Sequence, residues 1–141
     1  MLIQGGKIKR WAAWTSSTNA ASISGDISHW LNLEYINVNG LNVISGSISN
    51  LTKLTRLVIL GDATIGGSIT NLASLTYVDL CGLPPWPDRG HNTITGDITA
   101  LTNLTYFRCF GINTVTGDIT NMVNMIFLQM DANAPFSGDI T

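Results

Sequence analysis

A Gly-x-Ile step returns six times along this 141-residue chain, at Gly25, Gly46, Gly67, Gly96, Gly117 and Gly138, at intervals of 21, 21, 29, 21 and 21 residues. A fixed period of that length marks a solenoid, in which each repeat is one coil that cannot bury its own apolar face and must stack on its neighbours. Six inward side chains per coil contribute about 1.5–3 kcal/mol each when buried. Ordering the backbone of one coil costs about 1–2 kcal/mol per residue. A lone coil therefore does not fold, and the array is the folding unit.

With the isoleucine of each step as position one, the coils begin at Ile27, Ile48, Ile69, Ile98 and Ile119. Position four then holds Trp30, Leu51, Leu72, Leu101 and Met122, and position seven Leu33, Leu54, Leu75, Leu104 and Met125. Position ten holds Ile36, Leu57, Val78, Phe107 and Leu128, and position twelve Val38, Ile59, Leu80, Cys109 and Met130. The spacing of three predicts a helical or 3₁₀-like turn, and the spacing of two predicts a strand with both side chains inward. Glycine at position fourteen (Gly40, Gly61, Gly82 and Gly111) is expected to supply the positive φ that turns the chain out of the strand.

This pattern, I-x-x-L-x-x-L-x-x-L-x-L followed by a Gly/Asn turn, resembles the leucine-rich repeat family, whose signature runs L-x-x-L-x-L-x-x-N-x-L. The resemblance spans residues 27–140, and the S/T-G-D/S-I step looks like the second strand of some plant, bacterial or phage repeats. It implies a repeat solenoid with a parallel β-sheet on one face, and short 3₁₀ or turn segments and a second short strand on the other. The asparagines Asn42, Asn92 and Asn113 sit one place later than in the signature, and Ala63 and Ala134 replace them elsewhere, so the family's asparagine ladder is expected to be partial.

Residues 1–26 read as a degenerate N-terminal capping coil. There Ile8, Trp11 and Trp14 repeat the spacing of the turn, and the two tryptophans would cover the first core layer. Residues 27–141 read as five repeats with an eight-residue insertion at 84–91, ending in an incomplete, uncapped coil. Charged residues make up only 11 % of the chain, against roughly 25 % in an ordinary soluble domain. Serine, threonine and asparagine take their place, since neutral side chains can stack between coils where a column of like charges would repel. A net charge of −2 lacks the basic stripe that nucleic acid or an anionic membrane requires. No apolar run is long enough to insert in a membrane as a helix. No secretion signal is visible, yet an extracellular, cell-surface or virion setting is favoured over the cytoplasm.

Function is expected on the strand face, where the neighbours of inward positions point outward. Position nine there reads Tyr35, Arg56, Tyr77, Tyr106 and Phe127. Position eleven adds Val58, Asp79 and Arg108, and position thirteen adds Leu60, Cys81 and Phe110. Aromatics and arginine are enriched in binding hot spots, which points to a protein or glycan ligand on this face. The 84–91 insertion, with Trp86, Asp88, Arg89 and His91, is expected to edge the same site. The expectation is thus a non-enzymatic binding module, without cofactor or metal. The alternative is a structural or assembly component whose strand face and C-terminal edge pack against copies of itself or other subunits. A Cys81–His91 nucleophile is the weakest reading, because nothing in the spacing requires it. Cys109 inward and Cys81 outward cannot form a disulfide with each other. Asp97, Asp118 and Asp139 form a column, with Asp26 at its other end and Ser47 and Ser68 between, and these carboxylates are expected to cap turns rather than hold calcium.

Overall fold

A computed structural model describes residues 2–4, 7–14, 24–40, 43–61, 64–81, 93–130 and 135–138. The 84–91 segment lies outside them, as do Asp131 and Asp139.

Each coil gives one strand to each of two sheets. The larger sheet runs in the order β1 (Leu2–Gln4), β2 (Lys7–Trp14), β4 (Tyr35–Gly40), β6 (Arg56–Gly61), β8 (Tyr77–Cys81), β10 (Tyr106–Cys109), β12 (Phe127–Met130). Its strands are parallel except for β1, which lies antiparallel along β2. The smaller, parallel sheet holds β3 (Ser24–Asp26), β5 (Val43–Ser47), β7 (Thr64–Ser68), β9 (Thr93–Asp97), β11 (Thr114–Asp118) and β13 (Phe136–Ser137). Among the described residues there is no helix, and so none able to cross a membrane.

Register follows the columns of the sequence. Ile36, Leu57, Val78, Phe107 and Leu128 are successive partners across the larger sheet, and the 29-residue interval leaves Tyr77 opposite Tyr106. The turns carry two successive 3₁₀-type hydrogen bonds per coil. Leu51 N–H donates to Ile48 O and Leu54 N–H to Leu51 O, each at 2.9 Å, and the other coils repeat this. Three-residue bonding brings positions one, four and seven to the same side. There Ile48, Leu51 and Leu54 are fully buried, like their equivalents at Ile69, Leu72 and Leu75.

The step that defines the period is a packing device. Gly46, Gly67, Gly96, Gly117 and Gly138 all have positive φ. A Cβ on Gly67 would stand 2.5 Å from Ser47 Oγ and 2.8 Å from Ser49 Oγ of the previous coil. Glycine is thus required twice, by conformation and by close approach. The following residues bind coil to coil. Ser47 N–H donates to Ser28 Oγ, Ser68 N–H to Ser49 Oγ, Asp97 N–H to Thr70 Oγ1 and Asp118 N–H to Thr99 Oγ1, all at 2.8–2.9 Å. At the opposite corner Thr55, Thr76 and Thr105 hydroxyls donate to the carbonyls of Glu34, Thr55 and Thr76. Hydroxyls suit these corners because each acts without introducing a charge that would repel its counterpart one coil away.

Two expectations are corrected. The interval of three at Ile8 and Trp11 does not form a turn: 7–14 is strand β2, and Trp11 pairs with Ile36 in the strand register. Alternation decided the matter, since Trp11 buries at 4 % exposure between the exposed Arg10 and Ala12, edge-on to Trp30 with ring centroids 5.9 Å apart. Among the position-fourteen glycines, Gly111 has a φ of 85°, but Gly40 and Gly61 continue β4 and β6 and pair with each other. Gly82 lies outside the described residues.

Candidate functional site

Parallel register brings the position-nine side chains into one column on the larger sheet. Arg10 of β2 joins it, since it pairs with Tyr35. Neighbouring strands lie about 4.8 Å apart, close to the optimal separation of stacked planar groups, so each planar side chain rests on the next. The Tyr77 and Tyr106 rings are parallel within 5° at 4.2 Å, and Tyr106 and Phe127 within 9° at 4.5 Å. The Arg56 guanidinium lies 3.7 Å from the Tyr77 centroid and 5.9 Å from that of Tyr35, and Arg10 lies 4.7 Å from Tyr35 on its other side. The column therefore reads Arg10, Tyr35, Arg56, Tyr77, Tyr106, Phe127, with cations and tyrosines alternating at one end and aromatics alone at the other. Each cation–π contact contributes about 0.5–2 kcal/mol, and each stacked ring pair about 0.5–1.5 kcal/mol beyond its buried area.

Beside this column Arg108 closes a fork on Asp79: Nε to Oδ1 and Nη2 to Oδ2, both at 2.7 Å. The Asp79 side chain is 5 % exposed and that of Arg108 28 %. The hydrogen bonds it donates to Asp79, opposed by burial, hold the Arg108 guanidinium above its ordinary range. Burial, then the Asp79 charge, pushes the Tyr106 phenol up. The outward-facing expectation is corrected at three positions: Val58, Asp79 and Cys81 stand on the outer side by register but are each only 4 % exposed. Leu60, Tyr35, Arg56, Tyr77, Tyr106, Arg108 and Phe110 are half-buried, and Phe127 is exposed. Cys81 and Cys109 are both buried. Trp86, Asp88, Arg89 and His91 fall outside the described residues.

Arg10 is the member of the column that sequence reasoning missed. Its signal was present in Arg10-Trp11-Ala12, an outward–inward–outward alternation. It was hidden because Ile8 and Trp11 also fit the interval of the turn. Asn113 shows why the asparagine falls late. Ile94 N–H donates to its Oδ1 at 3.0 Å and its Nδ2 donates to Phe110 O at 2.9 Å, so one amide fastens two coils. The aspartates Asp26, Asp97 and Asp118 each accept the backbone N–H two residues on, at 2.7–2.8 Å. Hydrogen bonds from Ser28, Thr99 and Thr120 hold these carboxyls below the usual aspartate range.

Two sheets joined by 3₁₀-type turns and a 21-residue period define a leucine-rich-repeat-like solenoid. The chain is similar to the crystal structure of the leucine-rich-repeat ectodomain of the receptor kinase SOBIR1 from Arabidopsis thaliana, with a TM-score of 0.52 and 17 % identity over 95 % of this chain and 72 % of that one. At that identity the likeness concerns the fold. No protein-family model matches the sequence. No curated protein matches it either.

Proposed function

We propose that this chain is a non-enzymatic binding module whose ligand is a protein, held on the face of the larger sheet between Tyr35 and Phe127. The observation that carries the reading is the stacked column. A solvated sheet face is ordinarily covered by lysine, glutamate, serine and threonine, whereas here six large planar groups are held rigid with their edges outward. Groups fixed in this way lose little entropy when a partner covers them, which favours hot-spot behaviour. The same geometry argues for a protein over a glycan. A sugar stacks on an open ring face, but neighbours occupy the faces of Tyr77 and Tyr106. Edges and hydroxyls remain, and these suit peptide groups. A similar fold in the ectodomain of a receptor kinase agrees with an interaction role and an extracellular setting.

The test uses the Tyr106→Phe and Phe127→Ser variants beside the parent chain. Both should retain the parent far-ultraviolet spectrum, and Phe127→Ser should lose capture of partners identified by crosslinking and mass spectrometry. Unchanged capture by Phe127→Ser would move the site elsewhere.

Assembly is a second reading, favoured by apolar exposure in the turn before β12 and at its first residue. Val123 and Ile126 there are 86 % and 87 % exposed, and Phe127 is 39 % exposed. In that case copies of the chain, or other subunits, pack on this end. Sedimentation of the purified chain discriminates: a ring or filament supports assembly, and a monodisperse monomer counts against it.

A further inference from the structure

Two guanidiniums in the column differ from the third arginine of the same sheet. Arg108 spends its fork on Asp79. Arg10 and Arg56 form no ion pair with any described acid, and the nearby Glu34 is taken by Lys9 at 2.9 Å. Arg56 Nε is buried without a hydrogen-bond partner. Tyrosines lie on both sides of Arg56 and on one side of Arg10, while the in-plane N–H donors are what a guanidinium offers to an anion.

We infer that Arg10 and Arg56 form a carboxylate site, which takes two acidic side chains of an extended peptide segment of the partner. The inference rests on the proposed use of this face and names the chemistry at its β2–β6 end. Several features point the same way. Tyr35 and Tyr77 flank Arg56, and Tyr35 covers one face of the exposed Arg10, which strengthens an in-plane charge-assisted bond. No acid among the described residues pairs with them, and the chain's net charge is −2. Strands β2, β4 and β6 are consecutive and Arg10, Tyr35 and Arg56 are in register. Two strand spacings of about 4.8 Å place the guanidiniums about 10 Å apart. A polyproline II segment rises about 3.1 Å per residue with three residues per turn. It therefore presents acids at i and i+3 on one side, about 9 Å apart. The partner chemistry is thus an acidic segment of the Glu-x-x-Glu kind running along the solenoid axis. Nucleic acid is disfavoured, because two isolated arginines provide no continuous track for phosphates.

A fluorescein-labelled, C-terminally amidated Gly-Ser-Glu-Pro-Pro-Glu-Ser-Gly peptide, titrated with the 141-residue chain and followed by anisotropy, tests this. The peptide should bind, the Gln-Pro-Pro-Gln version should bind at least tenfold more weakly, and Arg56→Gln and Arg10→Gln should each reduce affinity at least tenfold. Arg56→Lys should not restore it, because a point charge lacks the fork. A free-acid Gln-Pro-Pro-Gln peptide separates a chain-terminal carboxylate from side-chain ones; binding equal to Glu-Pro-Pro-Glu would assign the site to a chain terminus and overturn the two-acid arrangement. Equal binding of Glu and Gln peptides, loss of no affinity in either arginine variant, or full displacement by a single-stranded oligonucleotide at equal charge would each overturn it too. Should Arg56→Gln unfold, the exposed Arg10→Gln alone decides. Ile112→Ser, at an exposed position outside the column, should leave this peptide's affinity unchanged. If the peptide fails while partner capture still depends on Phe127, the carboxylate site falls and the wider face stands.

Discussion

Gly67 and Gly111 both hold positive φ, at 110° and 85°, but the space around them differs. Nothing lies within 4 Å of a Cβ on Gly111, whereas one on Gly67 would overlap the serine hydroxyls of the previous coil. Gly111→Ala is expected to cost the backbone term alone, about 1–2 kcal/mol. Gly67→Ala adds the overlap and should reach about 2–4 kcal/mol. Urea denaturation of the two variants checks the ordering, and equal losses would show that coil spacing adapts to a methyl group. The carboxyls of Asp26, Asp97 and Asp118 provide a second residue-scale test. Each is held below the usual aspartate range by hydrogen bonds donated within its own turn. A folded pKa below the unfolded one means the stabilisation is complete above the unfolded value and is lost as pH falls through the folded one. The triple aspartate-to-asparagine variant keeps the acceptors and removes the titration. It should therefore lose less stability than the parent as pH is lowered from about 5 towards 2, as urea midpoints would show.

At the scale of the element, strands β8 and β10 are joined by main-chain pairing and by one buried ion pair across them. Removing one partner of a buried pair leaves a charge without compensation, a loss of about 3–5 kcal/mol when both groups are deeply buried. Here Arg108 reaches solvent on one side, with 28 % of its side chain exposed, so Arg108→Met should cost less, about 1–3 kcal/mol. Asp79→Asn added to Arg108→Met should recover part of that loss, because the isolated carboxylate is gone. A double-mutant cycle in urea measures the coupling. No recovery would mean that Arg108 stabilises by packing rather than by charge. The stacked rings beside it behave as a unit for the same geometric reason: each ring has a neighbour on the adjacent strand, so a change at Tyr106 is felt by Tyr77 and Phe127 together.

Among the described elements, contacts run between neighbouring strands of each sheet, so stability is a sum of coil and interface terms. The middle coils have neighbours on both sides. Leu51, Leu54, Leu72, Leu75, Leu101 and Leu104 are fully buried, while Met125, Leu128 and Phe136 are only partly so. Native-state hydrogen exchange should therefore be slowest for the amides of β6, β8 and β10 and faster for β12 and β13. A uniform rate along the array would indicate a single cooperative unit instead. At the other end β1 lies antiparallel on β2, so the larger sheet meets a strand there that no repeat unit supplies.

The period, the inward columns and the two-sheet winding were legible in the sequence because they are local and repeated. A leucine every third residue and then every second specifies a turn and a strand wherever it occurs, and five copies average out the exceptions. The phase of the first coil was not legible. Ile8 and Trp11 satisfy both the turn and the strand interval, and pairing with β4 chose between them. Nor could the sequence decide what the outward side chains do. It placed Tyr77, Tyr106 and Phe127 on one face. The strand spacing set by main-chain hydrogen bonds turned them, with Arg10, Tyr35 and Arg56, into a stacked column in which both faces of Tyr77 and Tyr106 are occupied. It likewise could not say that Asp79 would be buried under Arg108 of the next strand, since 29 residues separate them along the chain. Composition and period are properties of the chain alone, but occupancy of a ring face or of a guanidinium fork depends on which groups lie about 4.8 Å to either side, and only the closed winding fixes that.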